Sequence, residues 1–167
     1  MDIDTGTEHR NRAKIPHNIF MLNLAVFHLL MTPAAIALDV GRFGLLLPLV
    51  LSLATMLFSY VYCRKIDRQQ YLFEYLHWRL ALKRYRYLLI AYGITAGFLL
   101  LGGLLTLGTA DENMQEIMQT VFLRIAIMPV LLTVMVNFYL ESNAINLASQ
   151  GKIPDVILKQ YEQEKGH

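Results

Sequence analysis

The sequence predicts an all-α integral membrane protein with four transmembrane helices in two hairpins, and three observations lead to this fold class. Hydrophobic residues make up 55% of the 167-residue chain and charged residues only 17%, against about 25% charged in an ordinary soluble domain. The apolar residues form four blocks of the length that crosses a hydrocarbon layer as a helix. The basic residues alternate between the flanks of these blocks, which sets an orientation.

The first transmembrane hairpin is predicted at residues 19–63, after a polar cytoplasmic tail at residues 1–18 that we expect to be disordered. Its two spans, residues 19–38 and 43–63, contain no Asp, Glu, Lys or Arg. A lone strand would leave backbone groups unpaired in lipid, so both spans are predicted to be helices. Residues 1–37 also resemble a secretory signal that ends in an A-x-A cleavage site. Cleavage there would leave three spans in the same orientation.

The second transmembrane hairpin is predicted at residues 88–140. Its first span, residues 88–107, is uncharged, and its second, residues 117–140, carries one charge, Arg124. These two spans are also long enough to cross the hydrocarbon layer as helices.

The connection at residues 64–87 contains no glycine or proline and is predicted to form an amphipathic cytoplasmic helix. Aromatic and basic side chains suit the headgroup region of anionic lipids, and Tyr, Trp and Arg are also frequent at protein interfaces. We therefore expect this helix to contact the lipid surface or a partner protein. The candidate interface residues are Tyr71, Tyr75, Trp78, Arg79, Leu82, Lys83 and Arg86.

The Lys and Arg residues outside the spans predict that both termini are cytoplasmic. Three lie in the N-terminal tail, one in residues 39–42, seven in residues 64–87, none in residues 108–116 and three in the C-terminal tail at residues 141–167. This alternation fits four spans with the basic flanks inside. The C-terminal tail is also predicted to hold a short helix at residues 156–165. The compact chain, which lacks eukaryotic sorting signals, favours the bacterial inner (cytoplasmic) membrane.

Ionisable residues inside the spans are the first candidates for a functional site, because burying them in lipid is costly. His28 lies near the middle of the first span and could relay protons, although a neutral imidazole bonded to a neighbouring helix is the favoured interpretation. Arg124 could pair with Asp39, which ends the first span on the same side. It could instead bind an anion, or extend to the outer headgroups.

The sequence predicts no catalytic residue, no metal site and no cofactor. The sequence contains no phosphate-binding glycine loop, no C-x-x-C, no H-E-x-x-H and no nucleophile elbow. A net charge of +2 is too small to indicate nucleic acid as a partner. In the third span Gly93 and Gly97 lie four residues apart, which permits close helix packing within the bundle or between protomers.

We therefore expect a non-enzymatic accessory, scaffold or assembly subunit of a larger membrane complex. Its expected partners are the lipid bilayer, including anionic lipids, and other membrane proteins or a second copy of the chain. The alternative is a small transporter or channel that works as an oligomer and uses His28 and Arg124. A membrane enzyme acting on lipid or quinone has the least support, because the sequence offers no catalytic nucleophile paired with a general base.

Overall fold

The structure of the chain, a computed structural model, describes residues 6–38 and 41–165. Within these ranges the regular secondary structure is helical. The elements are α1 (Thr7–Leu22), a π-helical segment (Asn23–Met31), α2 (Thr32–Ala37), α3 (Gly41–Lys65), α4 (Leu72–Leu107), α5 (Glu112–Ser149) and α6 (Asp155–Lys165).

Four stretches of helix are long and apolar enough to cross a membrane, which indicates an integral membrane protein. They are Thr7–Ala35, Leu46–Lys65, Leu72–Leu107 and Glu112–Ser149. Each contains most or all of one span predicted from the sequence. The all-α class and the four apolar helices are therefore confirmed.

The first apolar stretch begins earlier than predicted. Residues 7–18, which we expected in a disordered tail, are helical because α1 buries Ala13, His17 and Phe20 inside the protein; residues 1–5 lie outside the described ranges. The π-helical segment ends two residues before Pro33, whose nitrogen carries no hydrogen for a helical bond. The Thr32 hydroxyl donates to the Phe27 carbonyl (2.8 Å), five residues back.

The predicted connection at residues 64–87 does not form one separate helix. Helix α3 continues to Lys65, a turn follows, and α4 begins at Leu72 and runs into the third span without interruption. Asp67 stabilises the turn, because its carboxylate accepts a backbone N–H two residues on (2.8 Å) and its carbonyl accepts the N–H of Tyr71 (2.9 Å).

Helices α4 and α5 are much longer than a membrane requires. They contain 36 and 38 residues, which at about 1.5 Å per residue gives roughly 54 and 57 Å, against a hydrocarbon core of about 30 Å. The chain divides into two compact units, Met1–Tyr85 with Asn137–His167 and Arg86–Val136. Each long helix contributes one part to each unit.

The first unit contains an apolar core to which five helices contribute. We call this core and the helix ends around it the platform. Its buried residues are Cys63, Leu72, Tyr75, Leu76, Trp78, Leu80, Ala144 and Ile157. Partly buried residues of α1 and α6, including Ile19 and Tyr161, pack against them. The predicted C-terminal helix is present as α6.

The C-terminal end of α5 is a Schellman motif. The N–H of Lys152 bonds the carbonyl of Leu147 (2.9 Å), and the N–H of Gly151 bonds that of Ala148 (3.1 Å). Gly151 has a φ of 70°, a conformation that glycine adopts without a Cβ clash. Pro154 follows and cannot continue the helix. The turn therefore reverses the chain and leads α6 back onto the platform.

The second unit pairs the remaining parts of α4 and α5. The Thr95 hydroxyl donates to the Ala126 carbonyl (2.6 Å). A Cβ at Gly102 would lie 2.6 Å from the Cβ of Phe122, so the helices approach closely at this position. The carboxylate of Asp111 accepts the N–H of Asn113 (2.9 Å) and caps the start of α5.

Candidate functional site

Four ionisable side chains form a buried network inside the platform. His17 Nδ1 lies 2.6 Å from Glu141 Oε2, and His17 Nε2 lies 3.0 Å from His77 Nδ1. Arg84 Nη1 donates to Glu141 Oε1 (3.1 Å) and to the Leu140 carbonyl (2.8 Å). His17, His77 and Glu141 are fully buried and Arg84 is 8% exposed.

Each member of the network comes from a helix whose local sequence places it there. His77 and Arg84 are seven residues apart on α4, which is two helical turns and therefore one face. His17 comes from the buried face of α1 and Glu141 from α5. The Schellman turn presents the Lys152 carbonyl, which lies 3.2 Å from His77 Nε2.

The Lys152 carbonyl orients one end of the network. It can only accept a hydrogen bond, so His77 Nε2 donates to it. His17 lies between His77 and Glu141 and joins the three side chains into one hydrogen-bonded chain.

The network pairs its buried charges. The Arg84 guanidinium lies against the Glu141 carboxylate (3.1 Å) and the Leu140 carbonyl (2.8 Å). Buried charges without partners are strongly destabilising. We infer that the network fixes the relative positions of α1, α4 and α5 within the platform, because each pair of groups joins two of these helices or the turn after α5.

Comparison with protein-family models, with curated proteins and with solved structures finds no match to this chain. Among residues 6–38 and 41–165, no group of three or more His, Cys, Asp and Glu side chains could hold a metal ion.

His28 is buried at the π-helical segment. Its Nε2 lies 3.3 Å from the Ser52 hydroxyl of α3, and Asn23 donates to the Ser52 carbonyl (3.3 Å). We expected a neutral His28 to form a hydrogen bond with a neighbouring helix. In the structure that helix is α3, and the residue in contact is Ser52. The Thr32 hydroxyl, one turn along the helix, donates to the Phe27 carbonyl.

The other two candidate ionisable residues are not brought together by the described part of the structure. Asp39 lies outside the described residues, so the predicted pairing with Arg124 stays a prediction. The Arg124 side chain is exposed within the second unit.

The aromatic residues predicted at an external interface are largely inside the platform. Tyr75 and Trp78 are 5% and 3% exposed, because Tyr75 faces Tyr161 of α6 (ring centroids 6.4 Å) and Trp78 faces Tyr62 of α3 (4.6 Å). These two rings pack mainly against the chain's own side chains.

The other candidate interface residues are divided between core and surface. Tyr71, Leu82 and Lys83 are half-buried, and Arg86 is exposed. Arg79 binds the Glu164 carboxylate of α6 through both guanidinium nitrogens, at 2.6 Å each.

The glycines predicted to pack helices are not at a close approach within the described chain. A Cβ at Gly93 or Gly97 would meet nothing within 4 Å, whereas Gly102 faces Phe122 directly. Packing through Gly93 and Gly97 between protomers stays a prediction.

None of the four members of the network is among the candidate site residues predicted from the sequence. A signal was present: His17 lies just before the first predicted span and Glu141 just after the fourth, so both were expected at the same membrane surface. The sequence does not show that α4 brings His77 and Arg84 between them.

Proposed function

We propose that this chain is a non-enzymatic accessory, scaffold or assembly subunit of a larger membrane complex, acting through a preformed surface. The observation that carries this proposal is the platform, in which buried ion pairs and an apolar core join five helix ends. Such an arrangement presents surface side chains on a fixed backbone, which lowers the entropy lost when a partner binds. Other membrane proteins are the proposed partners.

The proposal includes a topology with both termini on the inner side of the bacterial inner membrane, two transmembrane hairpins and a platform at the inner surface. The charge distribution supports it. Cys63 is buried, so introduced cysteines can be labelled over a low background. Ala110→Cys should react with a membrane-impermeant maleimide in intact cells or spheroplasts. Arg68→Cys and Gln163→Cys should react only after permeabilisation, and labelling of all three from one side would refute the topology.

The accessory role is tested by photo-crosslinking in native membranes. Val156 on α6 is 59% exposed on the platform and Leu100 on α4 is 69% exposed in an apolar helix, so the two positions form a matched pair. A photo-reactive residue at Val156 should give one adduct with a different protein, and Val156→Asp should weaken that complex. Adducts only at multiples of the 19.1 kDa chain mass would favour self-association, and no protein adduct at Val156 would refute the accessory role at this surface.

A second candidate is a small oligomeric transporter or channel that uses His28 and Arg124. The π-helical segment containing His28 favours it, because π-helical turns are frequent at functional sites. Proteoliposomes containing a pH-sensitive dye test proton movement. Flux that is lost in His28→Leu and kept in His9→Leu would support this candidate; flux no faster than that of empty liposomes would refute it for protons.

A further inference from the structure

A cleft of about 430 Å³ lies in the first unit at the end of α3. Its charged lining consists of Arg12, Lys65, Asp67 and Glu74, two cations and two carboxylates. This balance does not suit a purely anionic ligand, which the carboxylates would repel, or a purely cationic one. It suits a ligand that carries both charges.

Glu74 is the most buried of these charged residues, at 4% exposed. Its Oε1 lies 2.6 Å from Nδ1 of His9. Its Oε2 is buried and has no hydrogen-bond partner among residues 6–38 and 41–165. A buried carboxylate oxygen is strongly stabilised by an N–H donor, so Glu74 points to a ligand with ammonium hydrogens.

Aromatic rings form the apolar wall of the same cleft. Tyr62, Tyr71 and Trp78 line it, and the rings of Tyr62 and Trp78 are 4.6 Å apart. Ring faces attract a cation when it lies within about 6 Å. They favour the ammonium end of a ligand, while Arg12 and Lys65 favour its phosphate end.

One face of α3 leads from the apolar span to this cleft. Ala54, Phe58, Tyr62 and Lys65 follow one another at helical spacing and are exposed. Phe58 and Tyr62 lie side by side, with ring centroids 6.0 Å apart. An acyl chain lying on this face would bring its headgroup to the cleft, at the depth where tyrosine and lysine side chains are common in membrane proteins.

We propose that this cleft binds a phospholipid whose headgroup carries a phosphate and a primary ammonium, as phosphatidylethanolamine does. The phosphate lies at Arg12 and Lys65, the ammonium lies at Glu74 and Asp67 beside the aromatic wall, and the acyl chain follows α3. The proposal rests on the membrane placement and not on the accessory role. A failure to find a partner protein would leave it unchanged.

Native mass spectrometry of the detergent-solubilised protein tests the proposal with three lipids of identical acyl chains. Phosphatidylethanolamine should be retained more tightly than phosphatidylglycerol, which lacks the ammonium, and phosphatidylcholine, whose ammonium has no hydrogens. Soluble phosphoethanolamine distinguishes a lipid from a free headgroup, and it should bind far more weakly than the lipid. Equal binding of phosphatidylglycerol, equal binding of the soluble headgroup, or no retained lipid would each overturn the proposal.

Two variants and a neighbouring control locate the site. Lys65→Gln should weaken phosphatidylethanolamine binding about tenfold, because it removes a charged hydrogen bond. Asp67→Asn should remove the preference over phosphatidylglycerol while keeping the oxygen that stabilises the turn. Arg64→Gln is the control, since Arg64 contacts Tyr60 and does not line the cleft. If Arg64→Gln weakens binding as much as Lys65→Gln, general surface charge explains the result and the site is refuted. Unchanged Trp78 fluorescence would show that the variants fold.

Discussion

Replacing Glu141 by leucine removes the group on which the buried network depends. The substitution leaves Arg84 with the Leu140 carbonyl alone and His17 Nδ1 without its carboxylate. Removing one partner of a buried ion pair costs about 3–5 kcal/mol. Because Arg84 keeps one acceptor, we expect the lower value, about 3 kcal/mol, or roughly a 150-fold change in the unfolding equilibrium.

The measurement is equilibrium unfolding in mixed micelles with increasing sodium dodecyl sulfate. Trp78 is the one tryptophan in the sequence and is buried in the platform, so its fluorescence reports the relevant unit. Glu162→Leu, at an exposed position of α6, is the control and should shift stability by less than about 0.5 kcal/mol.

A double variant distinguishes loss of an ion pair from simple loss of packing. Arg84→Met with Glu141→Leu replaces both partners by apolar groups, which is often nearly neutral. It should be more stable than Glu141→Leu alone by at least about 1 kcal/mol. The network would contribute little to stability if the losses caused by Arg84→Met and Glu141→Leu simply add in the double variant. The same conclusion would follow if Glu141→Leu alone lies within about 1 kcal/mol of the wild type.

Three further outcomes follow from other parts of the structure. Gly102→Ala should lower thermal stability in detergent by about 1–3 kcal/mol because its Cβ would overlap the phenylalanine that it faces. Gly103→Ala, which meets open space, should be neutral or slightly stabilising, and equal effects would contradict the close approach. Gly151→Ala should cost about 1 kcal/mol at its φ of 70°, and an unchanged unfolding midpoint would argue against the Schellman turn. The hydrogen bonds from Arg79 lower the pKa of Glu164, so their contribution is present above the ordinary carboxyl pKa and is lost as pH falls through the lowered one. Because the pair is exposed it contributes at most about 1 kcal/mol. The protection factors of the α6 amides, which are corrected for the intrinsic pH dependence of hydrogen exchange, should fall at low pH in the wild type but stay constant over this range in Glu164→Gln.

Only part of the candidate site could be predicted from the sequence. The sequence singles out His28, because a histidine within an apolar run is unusual, and the structure buries it against α3. Its partner Ser52 could not be chosen from several polar residues on the second span. Tyr75 and Trp78 were assigned to an outer surface because an amphipathic aromatic stripe looks the same whether lipid, a partner protein or the chain's own α6 covers it.

By itself, the sequence determined that the chain forms four apolar helices long enough to cross a membrane, because hydropathy and helix length are properties of contiguous residues and add along each segment. Only the tertiary structure decided that α4 and α5 extend into a folded platform and that His17 meets Glu141 and His77, which lie 124 and 60 residues away in the chain. Hydrogen bonds require two groups within about 3 Å at a suitable angle. No local property of the sequence specifies that distance between residues on different helices, so the buried hydrogen-bonded network appears only when the helices pack.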